Sequence, residues 1–305
     1  DGIRDKLVTG VQTCALPISH ALRFMAGDAQ GMLTASTRLL PAWNSALPHY
    51  GYLLGCHAFA LGENGRLAEA ETFGRRAVEH APDDAWGVHA VAHVHETRGE
   101  TRQGIDWLEQ TRLIWKSCNN FAFHMAWHLA LFRVARGEFA EALRLYDEEV
   151  RPVPTDDFRD VANATSLLWR LEQGGCPVGR RWDELHEIAR RRADDATLVF
   201  ASLHHLLTCL ARDDRDGAAR VVASIEGLSQ MDGLDQAGVA ASVGSPLAAA
   251  LASLPTRTTR RFDIAAILSR LPLLGGSRAQ RDVFQRTLLS IAARAELASA
   301  IHRVA

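Results

Sequence analysis

The chain has 305 residues, 47% of them hydrophobic and 23% charged, with a formal net charge of -2. That balance is ordinary for a globular protein and lacks the basic face that nucleic-acid binding needs. No apolar run reaches the roughly 20 residues of a membrane span, and no charged-then-apolar stretch of secretory type is seen, so nucleic acid and membrane are excluded as expected partners and the expected compartment is cytoplasmic.

Residues Asp1 to Ile18, DGIRDKLVTGVQTCALPI, show neither a helical stripe nor strand alternation. The part VTGVQTCALPI, Val8 to Ile18, resembles the conceptual translation of a sequencing-library adapter, so residues 1–18 are read as a disordered, non-native tail and set aside. Cys14 and Pro17 then count as artefact, and the native N-terminal segment is expected to be missing. The remaining cysteines, Cys56, Cys118, Cys176 and Cys209, are scattered and form no C-x-x-C, as reduced thiols in a reducing compartment would.

From there apolar stripes of helical period follow one another with short Gly, Pro or Asp breaks. Helices are expected at His20 to Leu40, Pro48 to Leu61, Leu67 to His80, Asp84 to Thr97, Thr101 to Lys116, Asn119 to Ala135 and Phe139 to Val150. Further helices are expected at Asp156 to Glu172, Arg180 to Arg191, Asp195 to Arg212, Asp214 to Gly227, Gln236 to Leu254, Phe262 to Leu271 and Ala279 to Arg303. Connections this short join antiparallel neighbours.

Small residues repeat along this series. Ala58, Ala92 and Ala130 sit mid-way along alternate helices at an interval of about 34 residues that stretches at the third unit. Ala70, Gly104 and Ala142 follow each of them at a constant offset, where the second helix of a pair must approach the first closely. Breaks at Gly62 to Gly65, Gly99 and Gly137 divide the pairs, and Pro82 and Pro154 close two of them. This pattern resembles the tetratricopeptide repeat, and it implies an all-α, right-handed α-α superhelix, a tetratricopeptide-like solenoid of antiparallel helix hairpins. The repeats are expected over 19–154, with a diverged and truncated helical continuation over 155–305.

Longer strings sharpen the resemblance. DDAWGVHAVAHVHETRGE (from Asp83), WKSCNNFAFHMAWHLALF (from Trp115), ALRLYDEEV (from Ala142), SLLWRLE (from Ser166), RRWDEL (from Arg180) and GGSRAQRDVF (from Gly275) resemble, in order, the tetratricopeptide repeat protein 38 family. The likeness runs from about Gly51 to Ile291. Members of that family extend further at both ends, which implies a fragment, and the family brings a fold without a defined activity.

Candidate chemistry lies in the histidines, of which there are 13. His89, His93 and Glu96 follow i, i+4, i+7 spacing and so share one helix stripe, and His124 and His128 repeat the i, i+4 spacing on the next first helix. Counted from Ala92 and Ala130, the concave side of a repeat array would present Trp86, His89, His93 and Glu96, then His124, Trp127 and Leu131, with Tyr52 and Phe59 equivalent in the first pair.

Imidazole pairs at this spacing chelate divalent ions, so His89, His93, His124 and His128 are candidate metal ligands for a divalent metal, although the pattern is not H-E-x-x-H. The competing reading makes them core histidines hydrogen-bonded to carbonyls or carboxylates. His95 falls in the helix-packing register, and His57 and His80 are read the same way.

In the later helices Asn163, Ser166 and Arg170 fall on one side of the helix that also carries Asp160 and Trp169, and His204 lies on another. The resemblance implies Asp where this chain has Asn163 and Ser202. Trp169 and Trp182 are read as packing anchors. Gly275 to Ser277 is read as a tight turn with Ser277 as N-cap in preference to an anion site, and Cys118 as a buried thiol in preference to a nucleophile. Two functions remain open: a repeat protein binding a protein, a peptide or a small molecule in a His/Trp-lined groove, with Trp86, His89, His93, Glu96, His124, Trp127, His128, Asn163, Arg170 and His204 as groove candidates, or a hydrolase-like, metal-dependent enzyme whose groove has closed into a pocket lined by His89, His93, Glu96, His124, Trp127, His128 and His204.

Overall fold

A computed structural model of the chain describes residues 18–254 and 262–304, with side chains described as far as 296. All regular structure among the described residues is helical, with no strand. The expected tail over 1–18 lies outside the described residues except for Ile18, which is helical. The chain divides into two compact units after Val150.

The first unit contains α1 (18–25), α2 (Ala29–Leu39), α3 (Tyr50–Glu63), α4 (Leu67–His80), α5 (Ala85–Arg98), α6 (Thr101–Gln110), α7 (Arg112–Trp115), α8 (Asn120–Ala135) and α9 (Phe139–Leu145). Helices α3 with α4, α5 with α6, and α8 with α9 pack as consecutive pairs, and α5 also lies against α3 and α8. The small residues sit where these helices meet: Ala58, Ala92, Ala130, Ala70 and Ala142 are fully buried. A Cβ at Gly104 would overlap the Phe132 ring, and one at Gly74 would come within 2.6 Å of Val91 Cγ2. Gly99 (φ 72°) and Gly137 (φ 74°) end α5 and α8 in the left-handed region, which glycine enters at no steric cost.

Three expected helices are interrupted, each for a local reason. The stretch His20 to Leu40 breaks at Gly27 (φ 71°), and Asp28 caps α2 by accepting from Gly31 N–H at 2.8 Å. Thr101 to Lys116 breaks at Thr111, whose hydroxyl donates back to the Trp107 carbonyl at 2.7 Å, a local bond that competes with the helix ladder. Phe139 to Val150 ends in a π turn over Tyr146–Val150.

The second unit contains α10 (Phe158–Gln173), α11 (Trp182–Arg191), α12 (Val199–Ala211), α13 (Arg215–Ser229), α14 (Asp235–Val239), α15 (Ser245–Ala252), α16 (Ile264–Arg270) and α17 (Arg278–Val304). Its core takes Leu167, Leu168, Leu203, Leu206, Leu207, Phe284 and Leu288. The expected helix Gln236 to Leu254 carries a π segment, Ala240–Gly244, before Pro246. Proline has no N–H for the Ser242 carbonyl four residues back, and the Arg270 guanidinium donates to that carbonyl at 3.3 Å. At α17, Gln280 N–H donates to Ser277 Oγ at 3.2 Å while Ser277 N–H donates to Gln280 Oε1 at 3.0 Å. This reciprocal cap occupies the turn that an anion would have needed.

Candidate metal centre

Asp84 starts α5 by accepting from Trp86 N–H at 3.1 Å, which sets the helix phase five residues before His89. Both α5 and α8 are apolar on nearly every side, as a helix enclosed by neighbours must be. Val88, Val91 and Ala92 of α5 and Met125, Ala126, Leu129 and Ala130 of α8 are fully buried. With those faces fixed against other helices, the i, i+4 histidine pairs of the two helices turn toward each other.

His93 Nε2 lies 2.8 Å from His89 Nε2, His89 Nε2 lies 3.0 Å from His124 Nε2, and His124 Nε2 lies 3.2 Å from His128 Nε2. One donor nitrogen from each ring falls within 4.8 Å of every other. His89, His93 and His128 are buried and His124 is half-buried.

Hydrogen bonding alone does not account for this row. A neutral imidazole nitrogen carries one proton or one lone pair, so it serves one partner along its axis. His89 Nε2 and His124 Nε2 each face two nitrogens, hence at most two of the three contacts are hydrogen bonds. Convergent lone pairs are what a metal ion requires.

The surroundings favour a neutral His89, the state that metal binding needs. Burial first, and then the neighbouring His93, His124, His128 and His20, hold His89 well below the ordinary imidazole range. Phe59 stacks on His89 at 5.2 Å and 16°, and His124 stacks against Trp127 at 5.3 Å and against Phe121 at 5.8 Å.

Glu96 supplies the outer partner. Its Oε2 accepts from His128 Nδ1 at 2.9 Å, which places the His128 proton on Nδ1 and turns the Nε2 lone pair inward. Carboxylate–histidine pairs of this kind orient metal ligands and raise their basicity. His89 Nδ1 is buried with no hydrogen-bond partner.

The other sequence-derived candidates are distributed as follows. Trp86 is half-buried with its ring 4.8 Å from His89, whereas Trp127 is fully buried. The side chains expected on an open concave surface thus line an enclosed interior: Phe59 and Leu131 are buried too. Tyr52 instead borders a concavity of about 300 Å³ together with His49, Tyr50, His80 and Asp83, which none of the four histidines lines. His95 is buried and bonded to Glu100 Oε2 at 2.7 Å, and His57 to Ser36 Oγ at 2.9 Å, while His80 is exposed at the end of α4.

Asn163, Arg170 and His204 belong to the second unit, and all three are buried there. Arg170 donates to the Ser166 and Ala279 carbonyls at 3.2 and 3.0 Å. His204 Nδ1 donates to the Phe200 carbonyl at 2.8 Å, its ring packs 4.9 Å from Phe284, and burial lowers it to about 3. Trp169 donates to Thr287 Oγ1 at 2.9 Å and Trp182 is fully buried. Cys118 is half-buried, not buried as expected, and partial burial still pushes its thiol up, away from nucleophilic use.

Two contributors escaped the sequence reading. Phe121 stands three residues before His124 on the His124–His128 stripe and was accessible to the same spacing argument. His20, on α1, was not: it is buried against Phe59 and Trp86 at 5.8 and 5.9 Å, a contact made across the fold. Among the described residues no helix is long and apolar enough to cross a membrane. Comparison with known protein families finds no family model that matches the chain.

Proposed function

We propose that this protein is a cytoplasmic tetratricopeptide-type solenoid, related to the tetratricopeptide repeat protein 38 family, whose first unit binds one divalent transition-metal ion through His89, His93, His124 and His128. The observation that carries the proposal is the convergence of four imidazole nitrogens within 4.8 Å, three of the four histidines being buried. The paired packing of α3 with α4, α5 with α6 and α8 with α9 supports the repeat assignment, and the free cysteines suit a reducing compartment.

Four protein ligands complete a four-coordinate ion, whereas a hydrolytic metal keeps a position open for water. The centre therefore serves as a structural or metal-holding site, and any protein or peptide partner is recognised by other surfaces of the repeat array. Imidazole donors suit zinc, copper, nickel or iron and exclude calcium and magnesium, which take oxygen ligands.

Metal analysis of protein purified without a polyhistidine tag tests this. About one ion per chain is expected in wild type after loading with zinc or copper, and none in a His89→Ala, His93→Ala variant. Glu96→Gln keeps a hydrogen-bond acceptor but loses the charge, and is expected to weaken metal affinity roughly 10- to 100-fold. Wild-type protein that takes up no ion from either metal would remove the metal reading.

A further inference from the structure

We infer that the first unit binds a small carboxylate beside the metal centre, through the ring N–H groups of His20, Trp86 and His89. The inference rests on the metal-binding reading above and adds to it a ligand that offsets the charge of the ion.

Three rings of α1 and α5 carry buried polar atoms that the fold leaves unanswered. His20 Nδ1 and Nε2, Trp86 Nε1 and His89 Nδ1 are all without a hydrogen-bond partner. His20 and His89 are only 4% and 2% exposed. Each such atom gives up its bonds to water on burial, so groups of this kind are rare in folded proteins and point to a missing partner.

The rings lie together. Phe59 packs against all three, with centroids 5.8 Å from His20, 4.9 Å from Trp86 and 5.2 Å from His89. Trp86 in turn contacts both histidines, at 5.9 Å and 4.8 Å. Trp86 is half-buried, so the group borders solvent.

What these atoms offer sets the chemistry of the partner. An indole nitrogen only donates. A metal on His89 Nε2 takes the lone pair there and leaves the ring proton on Nδ1, which then donates as well. His20 adds an N–H in either tautomer. Several donors in one place call for an acceptor with more than one site, and the two oxygens of a carboxylate provide it.

Charge makes that acceptor an anion. Four neutral imidazoles leave both charges of a divalent ion uncancelled, and Glu96, bonded to His128 Nδ1 at 2.9 Å, offsets one of them. Buried charge is tolerated only when it is paired. A carboxylate on His89 Nδ1 does for that ligand what Glu96 does for His128, completing a second carboxylate–histidine–metal arrangement. No described side chain fills this place on His89, so the carboxylate comes from solution.

Untagged full-length protein loaded with zinc is titrated with sodium formate by isothermal titration calorimetry, and zinc content is measured in every sample. Zinc-free protein and a sodium chloride titration are the parallel arms. The expected result is one formate per chain on the zinc-loaded protein, with binding about tenfold or more weaker without zinc. Trp86→Phe keeps the ring, removes one donor and is expected to lose a similar factor. The comparison of loaded with zinc-free wild type stands without it if that variant fails to fold. Zinc-loaded protein that binds no formate, or binds chloride as tightly, would overturn the carboxylate and leave the metal reading intact. Equal binding of formate with and without zinc would overturn it too. A chain that takes up no metal would remove the metal reading and this inference with it.

Discussion

Metal-loaded protein is expected to melt on the order of 10 °C above metal-free protein, and the difference is expected to vanish in the His89→Ala, His93→Ala variant. A ligand that binds only the folded state stabilises it by about 4 kcal/mol when its free concentration is a thousandfold above Kd. The ligand atoms here come from α5 and α8, which belong to successive helix pairs, so the ion is bound in full only while both helices are formed and packed. Without the ion, at most two of the three Nε2 contacts are hydrogen bonds, so the apo cluster gains less than the four metal bonds supply.

Removing two of the four imidazoles abolishes binding and also leaves a cavity, since both side chains are buried. The metal-free double variant is accordingly expected to melt below metal-free wild type, through the volume lost. Differential scanning calorimetry with and without chelator checks both statements. Wild type that holds an ion yet melts at one temperature in either condition would show that the centre does not brace the fold.

How far this centre could be read from sequence depends on which contacts are local. The i, i+4 spacings of His89 with His93 and His124 with His128 follow from helix geometry, so each pair was legible on its own helix. Their mutual approach needed the register of α5 against α8, and the recurring Ala92 and Ala130 supplied it. The enclosure was less legible. Trp127 and Phe59 were expected on an open surface, and both are buried, Phe59 against His20 of α1 and Trp86 of α5. Helix interruptions at Thr111, Tyr146–Val150 and Ala240–Gly244 were missed for another reason. Apolar periodicity reports which face is buried and is nearly blind to one added residue in a turn or a side-chain bond to the backbone. In the second unit, nothing local distinguished Arg170 and His204 as core residues from site residues, since their partners Ala279 and Phe284 lie on the distant α17.

The same reasoning about buried charge makes Asp84 the source of an acid-favoured stability. Its carboxyl is buried at the start of α5, with Oδ1 accepting from Trp86 N–H. The space it fills is left by two glycines: a Cβ at Gly55 would overlap Oδ2, and one at Gly87 would lie 2.7 Å from it. Burial is the main cause that raises this carboxyl to about 7, only partly offset by backbone N–H groups of Gly87 and Trp86, with Asp83 adding like charge.

An unfolded aspartate titrates near its ordinary value of 3.8. Between there and pH 7 the native state therefore holds a proton that the unfolded state has released, and stability falls as pH rises through this window. The full difference corresponds to about 4 kcal/mol, present below pH 4 and lost by pH 7. Asp84→Asn keeps the capping acceptor and cannot ionise, so it is expected to match wild type at pH 4 and to exceed it by up to that amount at pH 7. Denaturant midpoints of both proteins, measured in chelator across this range, give the difference directly and cancel the titrations they share. Parallel curves would mean that Asp84 reaches solvent or a cation when it ionises, and would move the cost of its burial to the glycines around it.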